Sequence, residues 1–178
     1  MSKFKNFVLI LLLAFLMGLL HRFAQLHFEA TQDVDISIGI SYIVLFASAL
    51  ILPLPSATAV IFIEVIGSNY TDLLNGYVIS TLIINYIMLL VFEWWINYVR
   101  KAHFTVRFLP ALMLSCAVSS YIFFAIDTIV FGLSVSAVFL GYRAIEGLIC
   151  VLMSMPILYL ISSQNIGVRK YSPRYRLK

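Results

Sequence analysis

The basic residues of this chain gather in three short clusters, and long runs almost free of charge lie between them. The first cluster is Lys3 and Lys5, the second Arg100, Lys101 and Arg107, and the third is the tail with Arg169, Lys170, Arg174, Arg176 and Lys178. Together they hold ten of the twelve Lys and Arg residues. A soluble domain needs charge spread over its surface. Here only 11% of 178 residues are charged and 62% are hydrophobic. A membrane helix takes roughly 20 predominantly apolar residues, so a chain of this length holds about six, with no room for a separate soluble domain.

Cytoplasmic loops of membrane proteins are enriched in Lys and Arg, which places all three clusters on the cytoplasmic side. An even number of spans must then separate them. The expected fold is an all-α integral membrane protein with six transmembrane helices and cytoplasmic N and C termini. The spans fall near 6–24, 36–53, 55–70, 77–98, 108–127 and 143–162, followed by a basic cytoplasmic tail over 163–178. Pro53 and Pro55 in LPLPS break the second run from the third. The N-terminal run has a basic start and an apolar core, but no small-x-small cleavage site precedes HRFAQLHFEA, so it reads as a retained first span.

The acids agree with this topology. Glu29, Asp33, Asp35, Asp72, Asp127 and Glu146 fall on the outer side or its rim. Glu93 lies near the inner end of the fourth span beside Trp94 and Trp95, a pair suited to anchoring at the membrane interface. Arg22 and Arg143 stand at helix ends, where long side chains can snorkel or pair. The stretch 127–143 reads either as a loop or as a re-entrant piece. The tail is either an ordinary positive flank or a contact for anionic lipid.

Glu64 is the acid left over, near the middle of the third span in AVIFIEVIGSN. At helical spacing it shares a face with Ala57, Val60, Ile61, Gly67, Ser68 and Thr71. Small residues mark close helix packing in membranes, so that face is expected to turn into the bundle. A charge at mid-membrane costs about 2.5–3.5 kcal/mol on insertion scales. Asn85, Ser115, Ser119, Ser120 and Ser154 lie at similar depth in later spans and are its candidate partners. Two readings stay open: a buried polar clamp that sets packing, or a ligand or proton site.

A second polar group, His21, Arg22, Gln25, His27, Asp72, Asn75, Tyr142, Arg143 and Glu146, lies at the outer rim. It reads as solvated loops or as the lining of a small-solute pocket. Ala14 and Gly18 form a small-xxx-small pair, a candidate helix-docking face together with Ala57 and Gly67. Cys116 and Cys150 sit in apolar runs with no CxxC partner and read as small buried hydrophobes.

No GxSxG, HExxH, P-loop or GxGxxG motif occurs. No nucleophile, base and orienting group fall at one depth, so no enzyme, metal site or cofactor is expected. Nothing beyond the tail favours nucleic acid.

Three stretches carry a family resemblance. LPLPSATAVIFIEVIGSNYTDLLNGYVISTLIINYIMLL resembles the region of the rod-shape-determining protein MreD where a span with an acid and a following glycine leads into the next span. Glu64 takes the place of the usual aspartate, and Gly67 that of the glycine, one residue out of register. ALMLSCAVSSYIFFAIDTIVF is similar to the fifth MreD span. YRAIEGLICVLMSMPILYLIS resembles the last span of MreD or of an energy-coupling-factor transporter S component. The first resemblance implies a non-catalytic inner-membrane scaffold of bacterial cell-shape and peptidoglycan-elongation machinery, binding MreC and embedded in membrane lipid. The second implies a subunit that holds a vitamin-like small molecule and docks to a transport module. VDISIGISYIVLFASALILP is similar to six-helix membrane regions of bacterial signalling proteins, which implies a sensor acting through a partner.

Overall fold

A computed structural model describes residues 3–23, 25–31, 34–39, 41–69, 76–100, 102–129 and 137–163. The elements are α1 (Lys3–Phe23), β1 (Gln25–Thr31), β2 (Val34–Gly39), α2 (Tyr42–Ile51), α3 (Leu54–Ser68), α4 (Gly76–Tyr98), α5 (Phe104–Ile129) and α6 (Ala137–Ser163). The fold is helical, as its apolar runs require. In a medium without water the backbone must satisfy its own hydrogen bonds, and a helix does this within one segment. Four helices, α1, α4, α5 and α6, are long and apolar enough to cross a membrane, consistent with a membrane location.

The second expected span, 36–53, is corrected. Residues 34–39 belong to an antiparallel hairpin, and the helix that follows has only 10 residues. The reason is readable in the local pattern. QLHFEAT and VDISIG alternate polar and apolar residues, the period of a strand rather than a helix. The register pairs Leu26 with Ile38 and Phe28 with Ile36, while Glu29 faces Asp35 across the ladder. Like charges directly opposite weaken a pair, and the register slips between Glu29 and Thr31.

α2 and α3 are shorter than the other helices, 10 and 15 residues. At 1.5 Å per residue they reach about 15 and 22 Å, against roughly 30 Å of bilayer hydrocarbon. Every residue of α2 from Ile43 to Leu50 is buried. A helix that is apolar all round belongs inside a bundle. The chain turns between α2 and α3 at Leu52 and Pro53, where the Pro53 carbonyl accepts from the Ser56 and Ala57 amides at 2.7 and 2.9 Å and starts α3.

α3 runs parallel to α1. Asn6 Nδ2 donates to Ser56 Oγ at 3.0 Å near the start of both helices. Twelve residues further along each, Gly18 lies against Ser68. α2 therefore returns the chain from the hairpin end of α1 to its Asn6 end.

The core draws on all six helices, and its aromatic part lies among α2, α4, α5 and α6. The Phe46 and Phe92 rings are 4.8 Å apart, and Phe108 lies 6.3 Å beyond Phe92. Phe104 extends the series, 4.6 Å from Phe108 and edge-on to Tyr159 at 5.2 Å. Such pairs contribute about 0.5–1.5 kcal/mol beyond their buried area. Large apolar side chains on the outer surface, such as Phe15, Met113 and Leu152, are exposed. That is the pattern of a protein solvated by lipid.

The other boundaries follow the expected spans closely. α5 and α6 are longer, so most of 127–143 is helical: α5 runs to Ile129 and α6 starts at Ala137. Residues 130–136 lie outside the described residues, as does the tail from 164 onward.

Candidate functional site

Glu64 is held where α1 crosses α3. Its side chain is 1% exposed. The buried residues of α3 are Ala57, Val60, Ile61, Glu64 and Val65. On α1, Leu13, Ala14 and Met17 turn to the same seam and are buried. Gly18 completes it. A β-carbon there would stand 3.6 Å from Ser68 Oγ and 3.9 Å from Glu64 Cγ, so the two helices meet at van der Waals distance.

Two groups reach the carboxylate. Ser68 Oγ donates to Glu64 Oε1 at 3.2 Å, from one turn along the same helix. His21 Nδ1 lies 3.4 Å from the same oxygen, one turn beyond Gly18 on α1. The His21 side chain is 48% exposed, so one end of the contact is wet and the other dry. At 3.4 Å the contact is longer than the 2.7–2.9 Å or so of a tight charge-assisted hydrogen bond. It becomes an ion pair only when the imidazole is protonated. Chemically, it can tie α1 to α3, and it can pass a proton between a wet imidazole and a buried carboxylate.

The partners expected from depth alone sit elsewhere. Ser115 Oγ donates to the Ala111 carbonyl at 2.7 Å, and Ser119 and Ser120 both donate to the Cys116 carbonyl at 2.8 and 2.9 Å. These hydroxyls satisfy themselves on their own helix, the usual solution for serine within a span. Ser154 is fully buried beside Cys150, with Oγ to Sγ at 3.9 Å. Asn85 is buried on α4, and its Oδ1 accepts no hydrogen bond. Among the described residues, none of these groups touches Glu64.

The outer-rim group divides in the same way. His21 belongs to the Glu64 seam. Glu146 lines a crevice between α5 and α6. Arg22 is exposed, with its guanidinium 5.9 Å from the Phe23 ring centre. His27 is a strand residue paired in register with Ser37. The side chains of His27, Tyr142 and Arg143, and Asp72 and Asn75 altogether, lie outside the described residues. Of the docking residues, Ala14, Gly18 and Ala57 serve packing within this chain. Gly67 does not: it faces outward with nothing within 4 Å of where a β-carbon would stand.

The crevice was not legible from motifs. It is walled by Tyr42, Met88, Cys116, Ser119, Ser120, Phe123, Glu146, Gly147 and Cys150 and holds about 20 Å³. That is room for about one water. Both cysteines line it. One sequence signal does exist. Cys116 lies thirteen residues back from the end of α5 at Ile129, and Cys150 thirteen on from the start of α6 at Ala137. Two consecutive antiparallel helices put such residues at equal depth. Among the described residues, no three His, Cys, Asp or Glu side chains are grouped to hold a metal ion.

Compared with known proteins, the chain has no significant match to any family profile, curated protein or solved structure. Fold and site together define a class: a helical bundle with four helices able to cross a membrane and a buried, partnered carboxylate where α1 meets α3.

Proposed function

We propose that this chain is a non-catalytic multi-pass scaffold of the bacterial inner membrane, MreD-like, that binds partner membrane proteins through its helix faces. The observation that carries the reading is α1. It packs on the bundle along one narrow edge, Leu13, Ala14, Met17 and Gly18, and exposes Phe4, Phe7, Val8, Leu11, Leu12, Phe15, Leu16, Leu19 and Phe23. A helix so little covered has a large apolar surface for lipid or for another helix. In this reading the His21–Glu64 contact is the clamp that keeps α1 seated.

The parallel run of α1 and α3 supports six crossings. With Lys3 and Lys5 inside, the α2–α3 turn lies near the depth of Asn6, and α2 and α3 run in opposite directions along the membrane normal, α2 over about half of the roughly 30 Å hydrocarbon and α3 over about two-thirds. The same even count keeps the second basic cluster and the tail inside.

Purification in mild detergent from cells expressing the chain at native level tests the proposal. The expected result is a stoichiometric MreC-like membrane partner, lost when Leu12 and Phe15 are both replaced by Ala. A chain that purifies alone, and gains thermal stability from one compound in a vitamin panel, overturns it in favour of the solute-binding subunit. Reporter fusions after residues 30, 103 and 178 are expected to read outside, inside and inside.

A further inference from the structure

Cys116, Cys150 and Met88 come from separate helices and line one crevice. The place is built for close approach. A β-carbon on Gly147 would stand 3.2 Å from Cys116 Cβ, so α5 meets bare backbone of α6 there. One turn along α6 from Gly147, Cys150 lines the same crevice as Cys116. Cys116 is 7% exposed, Cys150 5% and Met88 1%.

We propose that this crevice is a binding site for one soft monovalent metal ion of the Cu(I) class, held by the sulfurs of Cys116 and Cys150 with Met88 as the third donor. Thiolate and thioether donors select such ions over hard cations. Zinc wants four ligands in a tetrahedron, and among the described residues no three His, Cys, Asp or Glu side chains are placed to supply them. The volume fits a single ion and excludes an organic ligand. Charge also balances. One monovalent cation enters as one thiol proton leaves, so the net charge of an apolar cleft is unchanged, whereas uncompensated charge there is costly. Glu146 lines the same crevice and is the acidic group beside the leaving proton. The two serine hydroxyls on the wall, Ser119 and Ser120, donate to the Cys116 carbonyl, and a soft ion prefers the sulfurs to the oxygens in the crevice.

The test loads the purified full chain in lipid nanodiscs with Cu(I) under ascorbate, removes free metal by gel filtration and measures bound metal by mass spectrometry. The expected result is one copper per chain, no zinc after the same treatment, and both thiols protected from a small maleimide. Cys116→Ser and Cys150→Ser should each lose the copper. Met88→Leu conserves volume and keeps both thiols, so it tests the third donor if the cysteine variants fold poorly; it should release copper to a competing chelator at lower concentration than the parent chain does. Equal copper in the double Cys→Ser variant, or a folded parent chain that holds none while its thiols close to a disulfide, overturns the proposal.

Discussion

The α1–α3 seam and the aromatic core of α2, α4, α5 and α6 solve the same problem by different means. In the core, large rings fill space: Phe46, Phe92 and Phe108 are almost fully buried and tilt against one another. In the seam, small residues remove space. Ala14, Gly18 and Ala57 let two helices touch, and the gain is completed by polar contacts, Asn6 to Ser56 at one end and His21 to Glu64 at the other. The hydrophobic effect gives no drive between helices in lipid, so packing and hydrogen bonds must supply it. Bulk and closeness are two ways to do so. The seam is the more easily opened, because α1 lies at the periphery and only one edge of it is covered.

The comparison can be broken most directly in the core. Phe92→Ala should lose about 3–5 kcal/mol, the cost of a large-to-small change at a site that cannot collapse. Reversible unfolding in detergent would measure it, and a loss below 1 kcal/mol would mean the ring series is not the core. Next comes Gly18. Gly18→Leu drives a side chain into Ser68 and Glu64 and should cost about 1–3 kcal/mol, while Gly18→Ala fits the ordinary contact distance and should be neutral or gain up to about 1 kcal/mol of helix preference. A large loss from the alanine would show that α1 and α3 approach closer at Gly18 than the 3.6 Å contact with Ser68.

Glu64→Gln probes the polar end of the seam. The amide oxygen still accepts from Ser68, so stability should fall by no more than about 1 kcal/mol. Loss of function with normal folding would assign the carboxylate a proton or ligand role instead of a clamp. The smallest effect is expected at the end of α4. Trp94 is exposed and stacks on Tyr98 at 5.9 Å. Trp94→Leu should change stability by less than about 0.5 kcal/mol, yet it should shift the depth of α4 in oriented bilayers if the ring anchors at the interface.

Much of this architecture is written locally. FVLILLLAFLMGLL can only be a helix in an apolar medium, and α1, α3 and α4 begin and end within a few residues of their apolar runs. The hairpin was also legible, in the alternation of VDISIG, but an apolar content high enough for a span concealed its period. The cluster around Glu64 was not. Depth along a span placed Asn85 and the serines of α5 at its level, but depth says nothing about which helices are neighbours.

Which long runs are helical, and on which face each is small, followed from residue spacing and the absence of water around the backbone, except at the start of the second run, where a strand replaces helix. It took the packing of whole helices to bring Glu64 to His21, and to bring two cysteines 34 residues apart into one crevice. Helix association in lipid depends on the fit of whole faces, summed over many weak contacts, and no single residue announces its partner.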